Sequence, residues 1–529
     1  MLLSVVVLVR YYIGWAMVVL AVLALAYAYF GSYIPGEYGN GGFSWSRLTS
    51  QMLLSTNGVY GVPMGVAAKY IFLFSLLGTV MVRSGLGQVF VDLSYGLTGR
   101  MQGGPGLAAV VSSTLFGSIN GSAVASVVTT GSFTIPLMKR TGYRPAVAGA
   151  IEAASASAGQ ILPPVMGAAA FLMAEMTKIP YGTIAISALV PALLYVLSVL
   201  VAVRLEAGKD DLGRMSAEDI PDVKAILLKR AYLLAPLVAL VAALAMGYTP
   251  MRAGAAAIVV ALALTPWSKS TRLSPWQLVE VCTSTLKITI GIVAAVAAAG
   301  ILIGVLTLTG LALQISSLIV SAGGNSLLLV LIYTMIASFI LGMGLPTSAA
   351  YLLLAILVAP ALVHMGVTML AAHMFIFYFG LVSAITPPVA LAAYAGAGIA
   401  QADPNETAIQ AIRLGFVKLL VPFLFVFSPG LLLIGTGASI TGDIVFSAFG
   451  IAGLATAFAG WFKQPLGWSG RGLWAITSLA CMCPSAIPLD TALVYGLRVA
   501  GLAGLALLVA RALADRTIPS HRQPLKDGQ

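Results

Sequence analysis

Two pairs of interruptions inside otherwise apolar sequence constrain this chain more than any other feature. Gly117-Ser-Ile-Asn-Gly-Ser-Ala123 is followed roughly forty residues later by Gly159-Gln-Ile-Leu-Pro-Pro164. Gly342-Met-Gly-Leu-Pro-Thr-Ser-Ala349 is followed, after a similar gap, by Ser383-Ala-Ile-Thr-Pro-Pro388. Each half of the chain therefore carries a Gly/Ser/Thr break and then a Pro-Pro break. Proline removes a backbone donor and biases the preceding residue away from the helical conformation, so an apolar helix must unwind at each Pro-Pro pair.

Unwound backbone is tolerated in hydrocarbon only where it is buried in protein or lines a cavity, and hydrocarbon is where these segments belong. Apolar runs of about twenty residues recur along the chain, long enough to cross a bilayer as helix. Hydrophobic residues make up 60% of the sequence and charged residues 9%. That is too little charge to cover a soluble surface. Alternation of the β-barrel kind is absent, and glycine is abundant, as close helix packing in lipid favours. The expectation is an all-α polytopic membrane protein.

The net charge of +11 does not mark a nucleic-acid binder. Lys139, Arg140, Arg144, Lys229, Arg230, Lys269 and Arg272 sit in short loops between apolar runs, as topology signals do. The basic tail after Arg511 reads as cytoplasmic by the same rule. Cys282, Cys481 and Cys483 form no disulfide framework, and the last two read as packing residues. No Walker loop, nucleotide fingerprint, zinc pattern or nucleophile–base pair is visible, so neither an ATPase nor an enzyme is expected.

The organisation follows from the runs. Residues 1–58 hold a transmembrane helix, Tyr11–Phe30, read as retained rather than cleaved. An amphipathic segment, Ser44–Asn57, follows and is suited to the membrane surface. A first repeat spans 59–203, with a re-entrant hairpin at 104–138 and a broken helix at 146–176. Residues 204–230 are the most charged stretch and read as an aqueous linker, and 231–275 as two further helices. A second repeat spans 276–435, with a hairpin at 326–363 and a broken helix at 372–399. Residues 436–511 add about three helices and 512–529 the tail.

Paired, interrupted hydrophobic segments at matching positions of two halves point to a transporter binding site. An unwound helix exposes carbonyl oxygens at one half-end and N–H groups at the other. Ser118, Asn120 and Ser122 with the carbonyls near Gln160–Leu162, and Thr347 and Ser348 with those near Ala384–Thr386, make neutral oxygen sets suited to a hard cation such as Na⁺. The N–H ends attract an anionic group. One break alone is explained as well by helix packing; two matched pairs are not. Glu152, in a helix that should be buried, is a candidate for proton or cation coupling.

The motifs resemble those of the large (M-type) permease of tripartite ATP-independent periplasmic, or TRAP, transporters, and more narrowly the fused permeases of the TAXI branch. Thr129–Tyr143, Gly159–Phe171, Gly342–Tyr351 and Thr386–Tyr394 carry the resemblance, which extends over about Tyr11–Gly435. It implies inverted repeats in an elevator-type fold and uptake of a small carboxylate-type solute driven by Na⁺ as coupling ion. No organic cofactor is implied. The partner would be an extracytoplasmic TAXI-type solute-binding protein, and the location the plasma (inner) membrane of a prokaryote. By matching position, Na⁺ would sit near Ser118, Asn120, Ser122 and Leu162, and near Gly342, Thr347, Ser348 and Thr386. Substrate would lie between Asn120, Gly121, Ser122, Pro163 and Pro164 on one side and Pro346, Thr347, Pro387 and Pro388 on the other. Fused permeases usually begin with several helices equivalent to a small Q-type subunit. Only one clear span precedes the first repeat, which leaves a separate small subunit, a shortened start or a scaffold without it. The rival is a stand-alone cation- or proton-coupled anion carrier without a binding protein.

Overall fold

A computed structural model describes residues 2–36, 38–267, 271–324, 326–342, 345–387, 389–486 and 490–514. Helices dominate, and the only strand pairing among the described residues is a two-residue bridge, Trp461–Phe462 with Gln464–Pro465. Eight helical segments of the described residues are long and apolar enough to cross a membrane. The chain is an all-α polytopic membrane protein.

One order of elements occurs twice. The first series opens with Val62–Arg83, continuous through a widened turn at Ala67–Ile71, and continues with Leu86–Thr98. A helical hairpin follows (Gly104–Asn120 and Ala123–Arg140), then a broken helix (Pro145–Gly159 and Ala168–Thr177) and the long helix Tyr181–Lys209. The second series runs Pro275–Thr309, Leu311–Gly323, a hairpin (Leu327–Gly342 and Thr347–Leu357), a broken helix (Met369–Val382 and Leu391–Ala400), and Pro404–Leu414 with Val417–Phe427.

Each broken helix leaves its own series at the break. Pro145–Gly159 packs on the first hairpin, while its continuation Ala168–Thr177 packs on Thr347–Leu357 of the second. Met369–Val382 packs on the second hairpin, while Leu391–Ala400 packs on Ala123–Arg140 and Pro145–Gly159 of the first. The core divides accordingly. One buried cluster joins Ile161–Met173 to Leu345–Val382, and another joins Leu107–Ala158 to Ile385–Leu414. Glycine permits the crossings. A Cβ on Gly149 would stand 2.9 Å from the Gly396 carbonyl carbon, and within the first series one on Gly159 would stand 2.5 Å from Gly117 Cα.

Two local expectations need correction. The first span is not one run from Tyr11: Leu2–Tyr12 and Trp15–Phe30 are separate helices, because Gly14 takes a φ of 108°. Ser44–Asn57 holds a helix, Trp45–Leu54, whose Leu48 and Met52 are fully buried. They pack on Ala297, Ile301 and Val305 of Pro275–Thr309, where Gly304 leaves room for Met52. The charged stretch does not begin in water. Tyr181–Lys209 carries on past Arg204, and Glu206 is 1% exposed, bridged to Arg144 at 3.0 Å and Arg413 at 2.6 Å. Pairing of this kind offsets part of the cost of burying a carboxylate.

After the second series come Gly437–Ala459, Trp468–Cys481 and Thr491–Ala514. A buried ion pair, Arg498 to Asp443 at 2.7 Å, fastens the last of these to the first. Cys481 and Cys483 are buried and unbridged. Most of the basic tail lies outside the described residues.

Candidate functional site

The first break is Gln160–Gly167. Its backbone amides at Val165 and Met166 both donate to the Ser118 carbonyl, at 3.1 and 3.2 Å, and Gly167 donates to the Gln160 carbonyl at 2.8 Å. Gln160 Nε2 donates to the Gly121 carbonyl at 3.0 Å, and the Tyr181 hydroxyl reaches the Pro164 and Val165 carbonyls at 2.8 and 2.6 Å. Unwound groups that would otherwise be orphaned are thus satisfied by the first hairpin and a neighbouring helix.

The hairpin tip itself is a tight reversal. Gly121 ends one arm with φ 68°, and a Cβ there would stand 2.5 Å from the Met166 carbonyl oxygen. Ser122 Oγ caps the other arm by accepting from Ala125 N at 3.3 Å. Asn120 Oδ1 accepts from Ser122 N at 2.7 Å and its Nδ2 donates to Ser126 Oγ at 3.0 Å, so its carboxamide clamps the tip. Ser118 Oγ donates to the Leu115 carbonyl at 2.8 Å, leaving its lone pairs free.

The second break, Ser383–Ala390, is held differently. Ser383 Oγ donates to Gly380 O at 3.0 Å, Thr386 Oγ1 to Val382 O at 2.9 Å and Ala392 N to Ala384 O at 2.9 Å. These bonds stay within the broken helix. Ala390 resumes the helix from a φ of 34°.

Between the breaks lies a cavity of about 280 Å³. Gly121, Ser122, Ala123 and Gln160 border it from one side, and Pro346, Thr347, Ser348, Ser383 and Ala384 from the other. The starts of four helices meet there, at Ala123, Ala168, Thr347 and Leu391. Helix starts present unpaired N–H groups and the positive end of the helix dipole. Gln160 Oε1 is buried without a hydrogen-bond partner among the described residues, and its side chain lines the same cavity. A further cavity of about 300 Å³ lies on the other side of the first tip, against Val62–Arg83. Asn120 and Ser122 line it with Ser75, Gly78, Thr129 and Ser284.

Of the residues expected from sequence, Gly121, Ser122, Pro346, Thr347 and Ser348 meet at the central cavity. Asn120 borders only the second cavity. Ser118, Leu162, Pro163, Pro164, Gly342, Thr386 and Pro387 lie in the tips and breaks without lining the central cavity. Pro388 lies outside the described residues. Glu152 is elsewhere. It is fully buried between the first hairpin and Pro145–Gly159, accepting from Thr130 Oγ1 and, at 2.6 Å, from Thr134 Oγ1.

Two residues were not anticipated. The Gln160 side chain was legible as the lone carboxamide inside the first Pro-Pro motif. Lys418 was legible as an ionisable residue within the apolar run Leu414–Leu433, by the rule that singled out Glu152. It is fully buried, and its ammonium donates to Ser157 Oγ and, at 3.3 Å, to the Leu381 carbonyl.

Crossed broken helices, two hairpin tips and a cavity ringed by helix starts characterise this membrane protein. Residues 1–440 match the family model described as the DctM component of tripartite ATP-independent periplasmic transporters, and the chain belongs to that family. It is similar to the C4-dicarboxylate TRAP transporter large permease protein DctM of Pseudomonas aeruginosa, at 26% identity over 67% of this chain and 82% of that protein. It is 24% identical to the 2,3-diketo-L-gulonate TRAP transporter large permease protein YiaN of Escherichia coli, over 68% of this chain and 84% of that protein. It is 23% identical to the sialic acid TRAP transporter large permease protein SiaM of Vibrio cholerae, over 67% and 81%. The chain is accordingly the permease of a transporter that depends on a solute-binding protein.

Proposed function

We propose that the chain carries a small carboxylate-bearing solute across the inner membrane, coupled to Na⁺, with both ligands held at the two breaks. The observation that carries this reading is the convergence of four helix starts on one cavity beside an unpartnered carboxamide oxygen. The N–H ends suit a carboxylate. The printed substrates of the three relatives, a C4-dicarboxylate, a diketo-gulonate and a sialic acid, are all acids.

For the cation, Gln160 Oε1, the free lone pairs of Ser118 and Thr386, and the hydroxyls of Ser122, Thr347 and Ser348 form neutral oxygen sets, the donors a hard monovalent ion takes. Leu162 and Gly342 would add backbone carbonyls. Asn120 holds the tip in place, its oxygen accepting from Ser122 N and its amide donating to Ser126 Oγ. Bound Na⁺ would supply positive charge beside the carboxylate, and the protein would supply orientation and exclude water. Pro163, Pro164 and Pro387 keep the backbone unwound there. The hairpins and broken helices would move together against Val62–Arg83, Pro275–Thr309 and the peripheral helices, as an elevator carries its site. A TAXI-type binding protein would deliver the solute from outside, a separate small membrane subunit would complete the scaffold, and the C-terminal tail would face the cytoplasm. Glu152 contributes internal hydrogen bonding to the moving unit.

Thermal unfolding of the purified chain in NaCl against choline chloride, at equal ionic strength, tests the ion assignment. A cation that binds only the folded state stabilises it by about 2.7 kcal/mol at a hundredfold excess over its dissociation constant. A Na⁺-specific rise that weakens in Ser122→Ala and Thr386→Ala is expected. Equal unfolding in the two salts would sink the assignment.

A further inference from the structure

Lys418 occupies a position that the transporter reading does not use. It lies in Val417–Phe427, is 0% exposed, and sends its ammonium to the place where both broken helices end their first halves. Ser157, which accepts from Nζ, is in the last turn of Pro145–Gly159, and Leu381, whose carbonyl accepts at 3.3 Å, is in the last turn of Met369–Val382. The ring of Tyr195 lies 5.7 Å from Nζ, a cation–π distance, and its hydroxyl donates to the Ala154 carbonyl of the same broken helix. Every one of these partners is an acceptor, a ring face or the negative end of a helix dipole. Each of them faces the Nζ N–H groups as an acceptor or an electron-rich surface.

Among the described residues no acidic side chain is within ion-pair distance of Lys418. The buried carboxylates on the helices packed around it are engaged elsewhere, Glu152 by Thr130 and Thr134 and Glu206 by Arg144 and Arg413. His373, on Met369–Val382, is bonded to the Tyr351 hydroxyl at 2.7 Å. An uncompensated charge in protein of low polarity acts over several ångströms. The two breaks begin within a turn or two of its partners, on the order of 8 Å along the helices.

We propose that Lys418 is a resident cation that sets how tightly a transported cation binds at both breaks. Its ammonium repels an arriving ion while bridging the two half-helices, so the ion is held loosely enough to leave again. This deepens the reading of the breaks as cation sites and rests on it.

The test is the Na⁺ concentration that gives half of the thermal stabilisation, measured on the purified full-length chain in detergent with choline chloride holding ionic strength constant. Removing the charge while keeping the volume, Lys418→Met, should lower that concentration by on the order of tenfold. Lys418→Gln, which is neutral but keeps a donor, serves if the methionine variant does not fold, and should shift it the same way. Lys418→Arg retains a permanent cation and should stay within about twofold of the parent. A lysine with only a structural part would lower unfolding temperatures at every Na⁺ concentration without moving the midpoint. That result, or a midpoint that moves as far in Lys418→Arg as in Lys418→Met, overturns the proposal while leaving Na⁺ binding intact. Absence of any Na⁺ effect in the parent chain overturns both.

Discussion

The two breaks are built from similar sequence and fastened in different ways. At the first, the carbonyl of Ser118 in the hairpin takes two amides from the unwound segment, and Gln160 returns a bond to Gly121. Tip and break are one knot. At the second, Ser383 and Thr386 bond back to their own helix, and the nearest neighbours that a side chain on Gly342 would meet are Ser383 atoms at 3.9 and 4.0 Å. Among the described residues the side-chain hydrogen bonds of the second break are local, whereas the first break is bonded to its hairpin and would leave those groups unpaired on parting from it. We expect the first hairpin to move as one block with its break and the second hairpin to part from its break more readily.

The comparison breaks most easily at the tip glycines. Gly121→Ala meets both a left-handed φ and the Met166 carbonyl, and should cost about 1–3 kcal/mol in folding stability, read as a lower thermal midpoint. Gly342→Ala has room and should stay within about 0.5 kcal/mol of the parent. Equal losses would mean the tips are equally tight.

The carboxamide comes next. Gln160→Leu leaves the Gly121 carbonyl unpaired and should cost about 1–2 kcal/mol, with a weaker response to Na⁺. Thr386→Val, which loses only a bond to its own helix, should cost less than about 1 kcal/mol by the same measurement. Tyr181→Phe removes one hydroxyl shared between two carbonyls and should cost about 1 kcal/mol, a loss without counterpart at the second break. The smallest effect sharpens the difference without mutation. In hydrogen exchange followed by mass spectrometry, peptides covering 160–167 should exchange more slowly than those covering 383–390. The reverse order would place the mobile gate at the first break.

Much of this architecture was legible in the chain. The Pro-Pro pairs located both unwound segments, and Gly121 and Pro346 located both tips, because proline and glycine act on their own backbone whatever surrounds them. The long apolar runs located the spans for the same local reason. Glu206 was misread because a charged stretch looks alike whether it faces water or two arginines from distant helices. Lys418 was overlooked among apolar neighbours, and its acceptors Ser157 and Leu381 lie far away in the sequence.

Sequence by itself determined that the chain is a helical membrane protein with two matched pairs of interruptions, since hydropathy and backbone restriction are properties of short segments. Only the tertiary structure decided that each broken helix crosses into the other series, with Gly149 against Gly396. It also decided that four helix starts share one cavity and that the buried Lys418 side chain reaches Ser157 and Leu381, just ahead of the two breaks. Those facts depend on which surfaces meet across more than two hundred residues, and a pairing at that range leaves no mark in the local pattern of either partner.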